Sequence, residues 1–253
     1  MEQNNRLRSK SAEQLNSFLD DCKIETHQNK KLLEIGFKNG VFLDECQKAN
    51  LIPTGIEINN EYCQTVKTNF PNLDILHYDG GTFPFPDDSF DFVVGFDVLE
   101  HVTSTEKLFA ECIRVLKPGG VMYHTCPNYQ SFYEGHYQLI WLPFLNKTLG
   151  RIYLKVLRRY TPYYESLNLV KPKNVAKALE IYDDGIDVIS LGRSEFVKKF
   201  TPEQIEKVKQ RSIKKILKLM SMLPFAKSMC LWLISYLNLY YPVTIIVKKK
   251  KYD

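Results

Sequence analysis

Two hydrophobic periods alternate along the first half of this chain. Short apolar runs of strand length are separated by segments in which apolar residues recur every three or four positions. That alternation predicts a parallel sheet whose strands are joined by crossover helices. Residues 11–22 read as a leading amphipathic helix and 31–35 as the first strand, followed by a helix at 40–49. The second strand falls at 54–58, a helix at 61–69, the third strand at 73–77 and the fourth at 90–95. A helix at 104–115 then leads through Pro118, Gly119 and Gly120, read as a turn, into a fifth strand at 120–125. Strands one, four and five are apolar almost throughout, as strands covered on both faces should be. Further along, 173–181 reads as a helix, 186–191 as a sixth strand and 242–248 as a seventh.

The second half is less regular. Residues 127–164 are rich in aromatics and interrupted by Pro143 and Pro162. They follow the fifth strand directly, where an open α/β sheet places its ligand, so 129–164 is read as a substrate cover region. A helical insert is expected at 194–241, before the last strand. Thr201 is its predicted N-cap at a basic amphipathic stretch, with Pro202 at the first helical position. An apolar, aromatic stretch follows, and Pro224, Lys227 and Asn238 leave it short of the roughly twenty apolar residues of a membrane span. A basic amphipathic helix followed by Trp and Tyr suits a membrane interface, and residues 141–159 have a similar character. In the alternative reading both stretches pack together as a lid with their lysines toward water.

At 253 residues, 44% hydrophobic and 25% charged, the chain has the material for one full core, so 1–253 is read as a single domain with additions. A net charge of +5 gives no general attraction for nucleic acid, and no nucleic-acid partner is expected. The six cysteines are scattered singly with no C-x-x-C pair, which suits buried thiols in a reducing cytosol. The polar start MEQNNRLRSKSAEQ lacks a secretory apolar run. The expected location is cytoplasmic and peripheral to the inner membrane face. The lysines at 248–251 are read as a solubilising tail or one facing anionic lipid.

The chemistry begins at residues 31–40, KLLEIGFKNG, a strand ending in Glu34 that turns through Gly36 and Gly40 into a helix. Glycine allows positive φ and close backbone approach to a ligand. Glu57 ends the second strand, where a carboxylate can accept both hydroxyls of a ribose. The stretches HYDGGTFPFPDDSFDFVVGFDVLEHV (77–102) and VLKPGGVMYHT (115–125) complete the pattern. Together these residues resemble the class I S-adenosylmethionine-dependent methyltransferases, in the branch with an LEH motif after strand four. The likeness covers about residues 30–128.

The resemblance implies a Rossmann-like, doubly wound α/β fold. Its seven-stranded sheet is mostly parallel with an antiparallel last strand. It implies S-adenosylmethionine as cofactor, held by Glu34, Gly36 and Gly40, with Glu57 on the ribose. It also implies Asp79 on the adenine amino group with Gly80 beside it, and Phe96 along the methionine arm. The bland reading makes Glu34 and Glu57 solvated strand ends and Asp79-Gly80 a plain turn. The chain departs from the family at Lys38, where glycine is preferred. A side chain there would crowd the cofactor or force another turn, unless it points away, and Asn39 beside it tolerates left-handed geometry.

For the acceptor, methyl transfer requires an aligned nucleophile and, for a hydroxyl, a base. By resemblance His101 lies on the substrate side of strand four, although Glu100 and His101 also fit as caps of the next helix. His136, in YEGHY, is the second candidate. Similar stretches occur among bacterial methyltransferases of surface polysaccharide and lipid-linked glycan synthesis. Aromatics such as Tyr129, Phe132, Tyr133, Tyr137 and Trp141 fit sugar stacking or, more simply, packing. Some ubiquinone and small-RNA relatives hold a divalent metal on Glu-x-x-Glu-His. Here Asp97, Glu100 and His101 would correspond, with His124 or His136 as the distant partner. No metal is assigned.

Phe96-Asp97-Val98-Leu99 lacks the Pro-Pro-aromatic end of the nucleic-acid base methylases. That argues against methylation of nucleic-acid bases, and the reading adopted is an O-methyltransferase of a sugar, glycan or lipid-linked acceptor, with membrane contact expected through 201–241. A soluble methyltransferase of a quinone-like metabolite and a cofactor-poor binding protein are the alternatives. Oligomeric state is left open.

Overall fold

The computed structural model describes residues 2–199, 215 and 224–251. The expected basic amphipathic helix that starts at Thr201 and Pro202 lies outside them. The leading helix α1 (Glu2–Asp21) begins earlier than its apolar pattern suggested, because Arg8 reaches Asp44 at 2.6 Å and Glu45 at 2.8 Å and ties the polar first turns to the next helix. Then come β1 (Lys31–Ile35), α2 (Val41–Lys48), β2 (Ile52–Glu57), α3 (Asn60–Asn69), β3 (Asp74–His77), β4 (Phe90–Phe96), α4 (Thr105–Val115) and β5 (Leu116–Cys126). A two-strand hairpin, β6 (Tyr133–Glu134) and β7 (Leu139–Ile140), leads to α5 (Lys147–Val156), α6 (Tyr163–Ser166) and α7 (Pro172–Glu180). The chain continues through β8 (Ile186–Ser190), α8 (Arg193–Lys199), α9 (Pro224–Tyr236) and β9 (Val243–Lys249).

Seven strands form one sheet in the order β3-β2-β1-β4-β5-β9-β8, mostly parallel with the last strand antiparallel. The expected Rossmann-like doubly wound sheet is present. The order in which successive strands are laid down reverses between the parallel neighbours β1 and β4, which makes their carboxyl ends the natural ligand crevice. One face of β1, β4 and β5 packs Leu32, Phe92, Val94 and Tyr123 against Phe18 of α1 and Phe42 of α2. Phe37, Leu43, Cys63, Val66, Leu73 and Ile75 form a second cluster around α3. At the strands' other ends Asp91 accepts from the Lys31 amide at 3.0 Å and from Lys117 at 2.8 Å.

Two local expectations change. Pro118 to Gly120 do not form a separate turn but lie within β5, whose pairing with β4 slips between Phe90 and Phe92 so that the strand absorbs them. Capping of α4 falls to Ser104, whose side chain accepts from the Lys107 amide at 3.2 Å, and not to Glu100 or His101.

The chain divides into two compact units, one of residues 1–125, 177–189 and 245–253, the other of 126–176 and 190–244. In the second, Tyr129, Tyr137, Trp141, Leu154, Tyr164 and Leu167 build an aromatic core. Packing therefore claims Tyr129, Tyr137 and Trp141, whereas Phe132 is exposed. Asn128, fully buried, donates to the carbonyls of Asn238 at 2.9 Å and Tyr240 at 2.6 Å, tying the chain just after β5 to the segment after α9. Among the described residues no helix is long and apolar enough to cross a membrane.

In the first unit, Gly95 makes room for the ring of His124. A Cβ at Gly95 would lie 2.4 Å from Nδ1 of His124, whose ring is fully buried beside Cys112 and Phe109. Burial pushes the imidazole pKa down to about 3, so this histidine is a neutral core residue. Gly95→Ala is expected to cost about 1–3 kcal/mol of stability through overpacking. A lower denaturation midpoint in urea at unchanged m-value checks this.

Candidate functional site

The carboxyl ends of β1 and β2 bring the two predicted glutamates together. Glu34 and Glu57 lie on paired strands, with Glu34 opposite Gly55 and Ile35 opposite Ile56. Both side chains are buried, so neither is a solvated strand end. Glu57 accepts from the amide of Lys38 at 3.2 Å on Oε2 and from that of Asn59 at 3.0 Å on Oε1. Its two oxygens thereby pin the glycine turn on one side and the start of α3 on the other.

Glu34 differs. Its Oε2 is buried with no hydrogen-bond partner among the described residues, and burial, reinforced by the nearby charge of Glu57, pushes its pKa up to about 8. A buried carboxyl that lacks a protein partner is costly for folding alone, so its retention at this strand end fits a site for a cationic or donor-rich ligand.

The turn between them is shaped by positive φ at Gly36 (73°), Lys38 (45°) and Gly40 (70°). A Cβ at Gly36 would come within 3.1 Å of Val98, and one at Gly40 within 2.6 Å of Val66. Lys38 therefore keeps the left-handed geometry that glycine would adopt, with its side chain exposed to solvent. It neither abolishes the turn nor replaces it with another. Asn39 Oδ1 accepts from the Val41 amide at 3.0 Å and helps start α2.

Asp79 and Gly80 follow β3, next to the end of β2. The Tyr78 amide donates to the Glu57 carbonyl at 3.1 Å, and Asp79 Oδ1 accepts from the Gly81 amide at 2.9 Å. Gly80 has φ of 84°, and both residues are exposed. Phe96 ends β4, and its half-buried ring packs edge-on against Phe42 at 4.8 Å and near Tyr123 at 6.2 Å. Asp97 takes a left-handed φ of 55°, while its amide donates to the Thr125 carbonyl at 2.8 Å. That forced turn leads into Val98, Leu99, Glu100 and His101. The His101 amide donates to the Val98 carbonyl at 2.9 Å, and its Nε2 lies 3.9 Å from Glu100 Oε1.

His136 belongs to the second unit. Its Nδ1 lies 3.0 Å from Glu134 Oε1, and Glu134 is buried, accepting also from the Tyr137 amide at 2.6 Å and from Tyr129 Oη at 3.3 Å. A carboxylate on Nδ1 fixes the tautomer and leaves the ring's lone pair at Nε2.

Sequence reasoning missed Glu134, Asn59 and Val98. The spacing of Glu134 two residues before His136 in YEGHY carried the signal for the first. Asn59 also caps α3, accepting from the amides of Glu61 and Tyr62. Nothing local marks Val98, since its approach to Gly36 joins turns far apart in the chain.

Residues 33–124 match the methyltransferase domain family. A probable S-adenosylmethionine-dependent methyltransferase of Mycolicibacterium smegmatis is 34% identical over 104 residues, covering 41% of this chain and 40% of that protein. The demethylmenaquinone methyltransferase of Lysinibacillus sphaericus is 33% identical over 103 residues, covering 39% of this chain and 43% of that protein. The chain thus spans less than half the length of these curated relatives.

Among solved structures, an S-adenosylmethionine dependent methyltransferase from Mesorhizobium loti superposes with a TM-score of 0.55 at 13% identity, covering 87% of this chain and 91% of that one. Phosphoethanolamine N-methyltransferase 2 of Haemonchus contortus, in complex with S-adenosyl-L-methionine, gives 0.52 at 16% identity, covering 91% of this chain and 50% of that one. At these identities the structural likeness speaks for the fold.

Proposed function

We propose that this chain, whose residues 33–124 match the methyltransferase domain family, uses S-adenosylmethionine to O-methylate a sugar, glycan or lipid-linked acceptor at the cytoplasmic membrane face. The observation that carries the cofactor reading is the buried pair Glu34 and Glu57 near the ends of adjacent strands, with the positive-φ turn after β1 hydrogen-bonded to Glu57 through the Lys38 amide. S-adenosylmethionine supplies a methyl group on a sulfonium, open to in-line displacement by an acceptor oxygen. Glu57 accepts the ribose hydroxyls, Glu34 faces the cationic part of the ligand, and Asp79 offers an acceptor to the adenine amino group. The positive φ of Gly36, Gly40 and Gly80 shapes the turns that bring backbone to the ligand, and Phe96 lines its methionine arm from the end of β4.

On the acceptor side, His136 takes the hydroxyl proton at Nε2, and Glu134 stabilises the imidazolium that results. His101 is the second candidate for this role. Purified protein incubated with methyl-labelled S-adenosylmethionine and a bacterial lipid extract is expected to label a lipid-linked sugar. His136→Gln is expected to lower turnover about a hundredfold. Glu134→Gln should do the same while also shifting the pH profile, with cofactor affinity unchanged in both. A normal rate in His136→Gln together with the loss in His101→Gln would move the base to His101.

A second reading takes a quinone-like ring as acceptor. The likeness to the demethylmenaquinone methyltransferase of Lysinibacillus sphaericus favours it, and label recovered in a quinol fraction instead of a sugar-bearing lipid would select it.

A further inference from the structure

We propose that the outer face of α5 is a docking surface for an anionic lipid bilayer. Leu149, Ile152 and Val156 recur at one face of that helix and are 50%, 52% and 74% exposed. Rotation of the helix cannot hide them, because its opposite face is committed. Gly150 and Leu154 are buried, and a Cβ on Gly150 would meet Tyr164 Oη and the Trp141 ring. The apolar stripe is therefore held outward by the same packing that builds the aromatic core.

Charge selects the occupant. From Gly135 to Tyr164 there is no acidic residue, whereas five lysines and arginines occur. One of these turns inward, Lys147 donating to the Tyr164 and Leu167 carbonyls, and a second, Arg151, is paired at the surface with Glu165 at 2.7 Å. Lys155 and, just past the helix end, Arg158 remain exposed, while the exposed Arg159 also donates to the Tyr137 carbonyl at 2.9 Å. With Glu165 taken up by Arg151, an apolar band with a net excess of exposed cations matches a surface of acyl chains beneath anionic headgroups.

A second helix of the same unit has the same composition. α9 contains no acidic residue and exposes Met229, Trp232, Leu233 and Tyr236 at helical spacing. The rings of Trp232 and Tyr236 stack at 5.3 Å, and these two residue types favour the membrane–water boundary. The inference deepens the proposed function by fixing which surface meets the membrane, and its test contains no methyl donor, so the two readings fail separately.

The full chain is floated with vesicles of phosphatidylcholine alone and of phosphatidylcholine containing phosphatidylglycerol. Flotation is expected with the anionic vesicles only, and to weaken as salt is raised. The double variant Ile152→Glu/Val156→Glu should lower the bound fraction at least about tenfold while leaving the circular-dichroism melt unchanged, since both side chains are exposed. Lys155→Glu/Arg158→Glu should lower it similarly. Equal flotation of variant and parent overturns the proposal, as does absence of flotation with either vesicle. Self-association without lipid that the Ile152→Glu/Val156→Glu variant abolishes would instead assign the stripe to a second copy of the chain.

Discussion

Glu57→Ala is expected to weaken S-adenosylmethionine binding about a thousandfold, since hydrogen bonds to a charged group contribute roughly 1.5–3 kcal/mol each and two are lost. The geometry adds to the loss. Glu57 also receives the amides of Lys38 and Asn59, so its removal frees the glycine turn and the start of α3 together. Titration calorimetry with S-adenosylmethionine and S-adenosylhomocysteine checks this. Glu57→Gln, which keeps one oxygen acceptor, should fall between the two. Unchanged affinity in a folded Glu57→Ala protein would remove the cofactor site from the ends of β1 and β2. No binding by the parent chain would support the cofactor-poor alternative.

Glu34 should make stability and binding depend on pH in opposite directions. Its pKa rises from 4.5 in the unfolded chain to about 8 in the fold, first through burial and then through Glu57. Between those values the folded protein binds the extra proton, so stability is full below the unfolded value and is lost as pH climbs to about 8. At 1.36 kcal/mol for each pH unit the ceiling is about 5 kcal/mol.

Glu34→Gln keeps the shape and cannot ionise. Its advantage over the parent in urea unfolding should grow between pH 5 and pH 8 and level off above. A constant difference across that range would refute the account. A cationic ligand favours the ionised carboxylate, so cofactor binding near pH 7 should release a proton. Heats measured in buffers of different ionisation enthalpy report that release, and Glu34→Gln should abolish it.

The short apolar strands and the helical periods between them were legible because each is local. Burial on both faces of a central strand demands a continuous apolar run, and β1 and β4 were placed to within a residue. The glycine turn was equally readable, since Gly36 and Gly40 are residues that positive φ favours, and Glu34 and Glu57 stood at strand ends. Lys38 was the hard case. Its sequence position could not say whether a side chain would destroy the turn, and only the backbone shows that a lysine holds φ of 45° with its chain in solvent.

Other features depended on residues distant in sequence. β9 enters the sheet between β5 and β8, and nothing in its own seven residues specifies those neighbours. His124 reads as a possible ligand in isolation, yet the space opened by Gly95 and the cover of Phe109 and Cys112 make it a neutral core residue. The apolar residues of 149–156 are equally ambiguous by period alone. A helix carries apolar residues on more than one face here, and which face is buried depended on where Trp141 and Tyr164 lie. Sequence by itself determined what each segment wants to become, because backbone propensity and period act over a few residues. Tertiary structure decided which polar groups lost their water and which apolar ones kept it, because burial is set by neighbours that the chain supplies from far away.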